Sequence, residues 1–287
     1  MSGLRMSRLR MTGDRWGDVA TYLLLGVLGV FFALPFAWLL SLAVRTPAEV
    51  YLGAARFIPQ APTLDNFALI LSDPAFLTYL WNGLKLSAAG ATLAVLLAIP
   101  AAYAASRLDF KGKNAILVGI LAVQMISPLV ILVPLYRWMV ALDLLNRDLS
   151  VIAVYGALGM PLAVWLLKVT FDAIPKDLEE AAAIDGASRL TTLLRITLPL
   201  ARPGIASAFI LAMVTNWSQF LIPFILLERD GDWPISVAIF NFAGSTSAST
   251  TQVLAAACIV AVLPAVAVFV ALQRMIVSAL VVGAVKG

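Results

Sequence analysis

The sequence contains no histidine, and its single cysteine is Cys258. Without histidine, the chain cannot form a Ser-His or Cys-His nucleophile pair or a histidine-ligated metal site. A lone cysteine forms no internal disulfide, and no G-x-x-x-x-G-K-[ST] loop is present to hold the phosphates of ATP. These absences predict a chain with no catalytic residues, no metal and no cofactor of its own.

Charged residues are also scarce, at 13% of the sequence against roughly 25% in soluble domains. Hydrophobic residues reach 62%, and the mean hydropathy is +0.96. A helix needs about 20 mostly apolar residues to cross a bilayer. Six stretches meet that requirement: 19–44, 81–106, 115–136, 149–167, 204–227 and 251–272. The sequence therefore predicts an all-α polytopic membrane protein with six transmembrane helices.

The positively charged residues indicate which side of the membrane each connection occupies. Lys and Arg are concentrated before the first stretch and after the second, fourth and sixth. Because positively charged connections stay in the cytoplasm, we expect both termini there, with residues 1–18 as a tail and residues 19–287 as the transmembrane domain. A cleaved signal peptide is the alternative for the first stretch, but its apolar run exceeds the core of about 7 to 15 residues found in such peptides.

Neutral polar side chains interrupt two of the predicted spans. Gln124 lies in the third, and Asn216, Trp217 and Gln219 lie together in the fifth. Amides supply donors and acceptors, and an indole ring can cover the apolar face of a sugar, so these residues are candidates for the pathway of a neutral, hydroxyl-rich solute. The alternative is hydrogen bonding between helices, which contributes about 0.6 kcal/mol for a typical pair.

The segment EEAAAIDGASRLTTLLRITLP, residues 179–199, separates two long apolar runs. Gly186 is suited to end one short helix, Ser188 to cap a second, and Pro199 to end that second helix. Three consecutive alanines leave the first helix with little side-chain bulk, so another backbone can approach it closely. Such a pair of helices is typical of a docking site for a soluble partner, and a plain surface hairpin is the alternative.

This segment resembles the EAA loop of ABC-importer permeases, in which E-A-A is followed after three residues by G and after nine more by I-x-L-P. The sequence matches every position and gap of that pattern. The resemblance implies that residues 169–203 form a cytoplasmic coupling loop that binds an ATPase subunit. The residues expected to make the coupling contact are Glu180, Ala181, Ala182, Asp185, Gly186, Ile196, Leu198 and Pro199.

Shorter stretches extend the resemblance over nearly the whole chain. They are similar to the sugar-importer branch of these permeases, which includes the smaller permease of maltose transporter pairs. The stretches are TLDNF at 63–67, NGLKLS at 82–87, AAYAASRLDFKGK at 101–113, NWSQFLIPFILL at 216–227 and GAVKG at 283–287. Family members often carry Glu at the position of Gln219, so the role of that side chain is left open.

The resemblance implies a type I ABC-importer permease fold in the bacterial cytoplasmic membrane. It also implies partners: a homologous second permease, two ATPase subunits that hold ATP and Mg, an extracytoplasmic solute-binding protein that residues 228–250 would face, and membrane lipid, with no nucleic acid. The implied function is ATP-driven import of a sugar or sugar-like solute by alternating access.

Two other functions are compatible with a polytopic chain. A secondary transporter or channel subunit for a small polar solute would be expected to carry charged residues at membrane depth or inverted repeats, and neither is evident. A membrane enzyme would need a convergent catalytic set, which is hard to assemble without histidine.

The identity of the cargo is a separate question. Neutral di- or oligosaccharides and polyols suit the amides of the predicted pathway, and phosphorylated or sulfonated glycerol derivatives stay open.

Overall fold

The computed structural model describes residues 15–51, 57–244 and 251–284, with side chains over 19–51, 57–240 and 251–271. The expected tail at 1–18 therefore lies almost wholly outside the described residues. Within these ranges every regular element is helical, as predicted. The α-helices are α1 (Arg15–Ala43), α2 (Pro47–Tyr51), α3 (Asp65–Leu71), α4 (Pro74–Arg107), α5 (Lys113–Val123), α6 (Pro128–Ala141), α7 (Asp148–Asp172), α8 (Asp177–Ile184), α9 (Arg189–Thr192), α10 (Leu198–Leu200), α11 (Arg202–Trp217), α12 (Leu221–Leu226), α13 (Ile235–Gly244) and α14 (Thr251–Ala284).

Four helices in the described ranges are long and apolar enough to cross a membrane alone. They are Val19–Ala43 within α1, the whole of α4 and of α7, and Thr251–Ala271 within α14. Two bent pairs would each form one further span: α5 with α6, at 88°, and Arg189–Leu200 with α11, at 77°. The described residues therefore provide four spans, or six if each bent pair counts as one.

The third predicted span is a bent pair rather than one continuous helix. Pro128 has no N–H to donate to the carbonyl of Gln124, and its ring favours extended backbone at the preceding residue. Ser127 accordingly has a ψ of 132°. Its Oγ accepts a hydrogen bond from the N–H of Leu129 at 3.4 Å and caps α6. The proline therefore ends α5 early and starts a new helix in a different direction.

The fifth predicted span is also interrupted, at residues 218–220 between α11 and α12. Pro223 lacks the N–H that would reach the carbonyl of Gln219 in an unbroken helix. That carbonyl accepts instead from Ser236 Oγ at 2.9 Å and from the Tyr155 hydroxyl at 3.4 Å. The break thus exchanges one helical hydrogen bond for contacts with α13 and α7.

The most extensive contact between helices in the described chain joins α4 to α7. A Cβ atom added at Gly90 of α4 would lie 2.5 Å from Tyr155 Cβ and 3.0 Å from Asn216 Nδ2. Small side chains let two backbones approach closely inside a membrane. The buried alanines that extend this surface along α4 are Ala94, Ala98, Ala102 and Ala105. α11 packs against the same helix pair, and α14 covers α11 and contacts α1.

Replacement of Gly90 by alanine is expected to destabilise the bundle, because the new methyl group has no space between α4 and α7. Overpacking of this kind costs about 1–3 kcal/mol. Thermal unfolding of the chain purified in detergent should therefore show a lower midpoint for Gly90→Ala. The control is Gly119→Ala in α5, where an added Cβ meets nothing within 4 Å. Equal midpoints for the two variants would contradict the close α4–α7 contact.

Candidate functional site

The sequence motif forms α8, α9, a π-helical turn (Leu193–Thr197) and α10, which together are called the α8–α10 segment. Gly186 follows α8 with a φ of +83°, the left-handed conformation that glycine adopts at helix ends. Ser188 then caps α9, because its Oγ accepts a hydrogen bond from the N–H of Thr191 at 3.3 Å. The expected helix end and the expected cap are both confirmed.

Pro199 does not end the second helix, contrary to expectation. The helix continues through α10 to Leu200, and the chain then turns by 77° into α11. Because Pro199 has no N–H, the carbonyl of Arg195 loses its usual helical partner. The chain accommodates this loss with the wider π turn over Leu193–Thr197. The second short helix therefore leads, after this bend, into α11, the helix at the start of the fifth predicted span.

The α8–α10 segment exposes apolar side chains. Ile184 is 87% exposed, Leu190 64% and Leu194 55%, and Ala181 is exposed as well. Leu190 and Leu194 are four residues apart in a helical stretch, so they lie on one face. Apolar surface that is grouped in this way is typical of a protein interaction site.

The predicted coupling residues divide between the surface and the interior of the segment. Those on the surface are Glu180, Ala181, Asp185, Gly186 and Pro199; Ile196 and Leu198 are half-buried, and Ala182 is buried. Ala182 packs inward while its two alanine neighbours face outward. Only part of the alanine surface is therefore available to a partner.

A carboxylate outside the predicted set, that of Glu179, joins the α8–α10 segment to α4. Its Oε1 accepts from Arg107 Nε at 2.8 Å and from Thr197 Oγ1 at 2.9 Å, and its Oε2 accepts from the Tyr103 hydroxyl at 3.0 Å. These four residues are called the Glu179 cluster. The side chains of Arg107 and Glu179 are only 7% and 13% exposed. Removing one partner from a buried ion pair costs about 3–5 kcal/mol, so the pair resists separation.

A cavity of about 290 Å³ lies between the α5–α6 break, α7 and α11. Three of the four predicted pathway residues line it: Gln124, Asn216 and Gln219. Tyr155 and Thr215 complete its polar lining, and none of the described lining residues is charged. The cavity therefore offers neutral hydrogen-bonding groups among apolar walls, as sites for small polar solutes do.

A family model described as binding-protein-dependent transport system inner membrane component matches residues 90–282. The chain belongs to this family. It is a multi-pass inner-membrane component of a transport system, and the expected ABC-importer permease is confirmed. The matched region includes most of the α4–α7 contact, the cavity and the α8–α10 segment.

The similarity to known permeases extends beyond the matched region. The sulfoquinovosyl glycerol transport system permease protein of Agrobacterium fabrum is 34% identical over 253 residues, which cover 88% of each chain. The trehalose transport system permease protein of Mycobacterium tuberculosis is 34% identical over 271 residues, covering 93% of this chain and 98% of that one. A crystal structure of a bacterial ABC transporter involved in the import of the acidic polysaccharide alginate matches 92% of this chain and 97% of its own, with a TM-score of 0.77 at 22% identity. That likeness confirms the importer permease fold.

Trp217 lies apart from the other three predicted pathway residues of the permease. Its indole N–H donates to the carbonyl of Ala261 at 3.1 Å, and a Cβ at Gly83 would lie 3.3 Å from its Cζ3 atom. The side chain is therefore packed between α4 and α14 and does not line the cavity. Asn216 also joins two helices, because its Nδ2 in α11 donates to the carbonyl of Ser87 in α4 at 3.3 Å. Unlike Trp217, it lines the cavity as well.

Two asparagines hold the connection between α12 and α13. Asn82 Nδ2 donates to the carbonyl of Gly231 at 2.8 Å, and Asn146 Oδ1 accepts from the N–H of Glu228 at 2.6 Å. The connection is thereby fixed to α4 and to the turn between α6 and α7. Residues 245–250, the last part of the stretch expected to face a binding protein, lie outside the described residues.

Proposed function

We propose that this chain is the permease subunit of an ATP-driven importer that moves a neutral sugar or sugar-like solute from a binding protein into the cytoplasm by alternating access. The observation that carries the proposal is the exposed apolar surface of the α8–α10 segment in a member of this family. Such a surface favours a protein partner, which we assign as an ATPase subunit. The second ATPase subunit would bind a homologous second permease, and ATP and Mg would be held by the ATPases.

The charge distribution supports a cytoplasmic position for the α8–α10 segment. The contact between Arg107 and Glu179 brings the turn after α4 to the same end of the bundle as this segment. Positive residues are concentrated there, at Lys111, Lys113, Lys176, Arg189, Arg195 and Arg202. Positive connections are retained in the cytoplasm, so both termini would be cytoplasmic. The opposite end, with the connection held by Asn82 and Asn146, would receive the binding protein.

Alternating access needs energy from the ATPase contact. Changing the ratio of inward-open to outward-open transporter from 99:1 to 1:99 requires a partner that binds the outward-open state about 5.5 kcal/mol more tightly than the inward-open state. Closure of the ATPase pair on ATP would supply that energy if the α8–α10 segment binds the ATPase differently in the two states. The segment leads into α11 after a single bend, so a displacement of the segment would be passed directly to a helix that lines the cavity.

The coupling role is tested by replacing Glu180 with alanine and Gly186 with valine in one chain. Valine in the left-handed conformation of Gly186 costs about 1–2 kcal/mol, and loss of Glu180 removes an exposed charge from α8. We expect the double variant to insert in the membrane but to lose the coupling of ATP hydrolysis to uptake, both measured in proteoliposomes with the binding protein. Gly186→Asn is the control, because asparagine tolerates this conformation. Coupled uptake at the native level in the double variant would refute the proposal.

The neutral lining of the cavity favours an uncharged cargo. A sulfonate or phosphate that left water here would find no described cation in the lining, and burial of an unpaired charge is costly. A trehalose-like neutral disaccharide therefore suits this cavity. A sulfonated glycoside is the second candidate, favoured by the similarity to the sulfoquinovosyl glycerol permease, and it would require a cation from the companion permease.

The cargo class is tested by replacing Gln124 and Gln219 together with leucine. Loss of two amides from the cavity should lower uptake of a neutral disaccharide about tenfold or more, since each hydrogen bond contributes about 0.5–1.5 kcal/mol. ATP hydrolysis stimulated by the binding protein should persist, because the α8–α10 segment is unchanged. Thr92→Val, a polar-to-apolar change on the exposed side of α4, is the control. Unchanged disaccharide uptake, or uptake of a sulfonated glycoside alone, would count against this assignment.

A further inference from the structure

The Glu179 cluster combines groups from three elements on one carboxylate. Glu179 belongs to α8, Arg107 and Tyr103 belong to α4, and Thr197 belongs to the π turn. All three hydrogen bonds are made by side chains, and both charged partners are largely buried. Hydrogen bonds between charged groups are short and directional, so this arrangement fixes an orientation as well as a distance.

Arg107 extends the contact from α4 to the backbone just after α7. Its Nη2 donates to the carbonyl of Ile174 at 3.0 Å, and its Nη1 donates to Ser106 Oγ at 3.2 Å. Ser106 Oγ in turn donates to Asp172 Oδ1 at 2.5 Å, and Asp172 Oδ2 accepts from Lys168 at 2.6 Å. The ends of α4 and α7 and the start of the α8–α10 segment are thus joined by one continuous set of polar contacts.

The remaining contacts of α8 are mainly with the segment itself. α8 packs chiefly against α9 and the π turn, and its outward side chains are exposed. Apolar packing alone would hold α8 against its own segment without fixing its position on α4. The planar guanidinium of Arg107 supplies that position, because its donors have a fixed geometry that lysine lacks.

We infer that Glu179 is a positioning residue that makes α8 and the Arg107 end of α4 move as one body when an ATPase subunit moves the α8–α10 segment. This inference rests on the proposed function. It assigns the transfer of motion to the Arg107–Glu179 pair, and it leaves contact with the ATPase to the exposed residues of the segment. Tyr103 and Thr197 hold the carboxylate in the orientation that Arg107 requires.

The experiment measures the distance between α4 and α8 in the assembled transporter in lipid nanodiscs. Cys258→Ala leaves the chain free of cysteine, and spin labels are placed at two exposed positions, Asp109→Cys, two residues after the end of α4, and Asp177→Cys, the first residue of α8. Double electron–electron resonance is recorded without nucleotide and with a non-hydrolysable ATP analogue. We expect the same narrow distance distribution in both states. In the Glu179→Gln background we expect a broadened distribution that changes with nucleotide.

Activity provides the second readout. Glu179→Gln should lower solute uptake per ATP hydrolysed about tenfold, the loss expected for weakening hydrogen bonds to a charged group, while the complex still assembles and hydrolyses ATP. Arg107→Lys should retain more coupling than Arg107→Met, because the charge persists. For the distance measurement, Glu180→Gln is the matched control, since it changes the neighbouring exposed carboxylate and should leave the α4–α8 distance distribution narrow.

Three outcomes would overturn the inference. The first is a distribution that stays narrow and an unchanged uptake per ATP in Glu179→Gln. The second is a wide, nucleotide-dependent distance in the native chain. The third is that Glu179→Gln loses assembly, ATP hydrolysis and uptake together, while Tyr103→Phe, which removes one hydroxyl from the cluster, keeps uptake coupled to hydrolysis. If the double variant of Glu180 and Gly186 keeps coupled uptake, the proposed function fails instead. The α4–α8 distances would still show whether α8 and the Arg107 end of α4 move as one body.

Discussion

The close approach of α4 to α7 is the contact on which the other features of this permease depend. It requires the absence of a side chain at Gly90, where an added Cβ would lie 2.5 Å from Tyr155 Cβ. In a bilayer no hydrophobic force drives helices together, so small residues and the van der Waals contacts they allow determine which helices pair. The pairing brings Tyr155 of α7 and Asn216 of α11 to the same cavity.

The same helix pair connects the two regions that we assign to transport. At one end, α4 carries Arg107, which binds Glu179 of the α8–α10 segment. Along its middle, Gly90 and its neighbouring alanines contact α7 and α11, which line the cavity. At the other end, Asn82 holds the connection after α12. A displacement at the α8–α10 segment therefore has a continuous, closely packed route to the cavity.

The lengths of the apolar runs and the spacing of the motif were sufficient to predict the helical class, four of the spans and the position of the α8–α10 segment. Hydropathy averages over long windows, so it detected the third and fifth predicted spans without locating the break at Pro128 in the third or the break between α11 and α12 in the fifth. The cap at Ser188 and the left-handed Gly186 depend on neighbouring residues alone, and both were predictable.

Features that depend on residues far apart in sequence were not predictable. Glu179 and Arg107 are separated by 72 residues, and nothing in the local sequence of either indicates that they meet. Trp217 and Gln219 are neighbours in sequence, but the end of α11 sends the indole toward Ala261 and leaves the amide at the cavity. Placing them requires knowledge of which helices pack together.

The central claim is that the α8–α10 segment binds an ATPase subunit, and protection of Ile184 tests it most directly. This side chain is 87% exposed in the chain alone. In a Cys258→Ala background, Ile184→Cys should react rapidly with a water-soluble maleimide when the permease is purified alone. It should be strongly protected in the assembled transporter with its ATPases. Equal labelling rates in the two preparations would contradict the account.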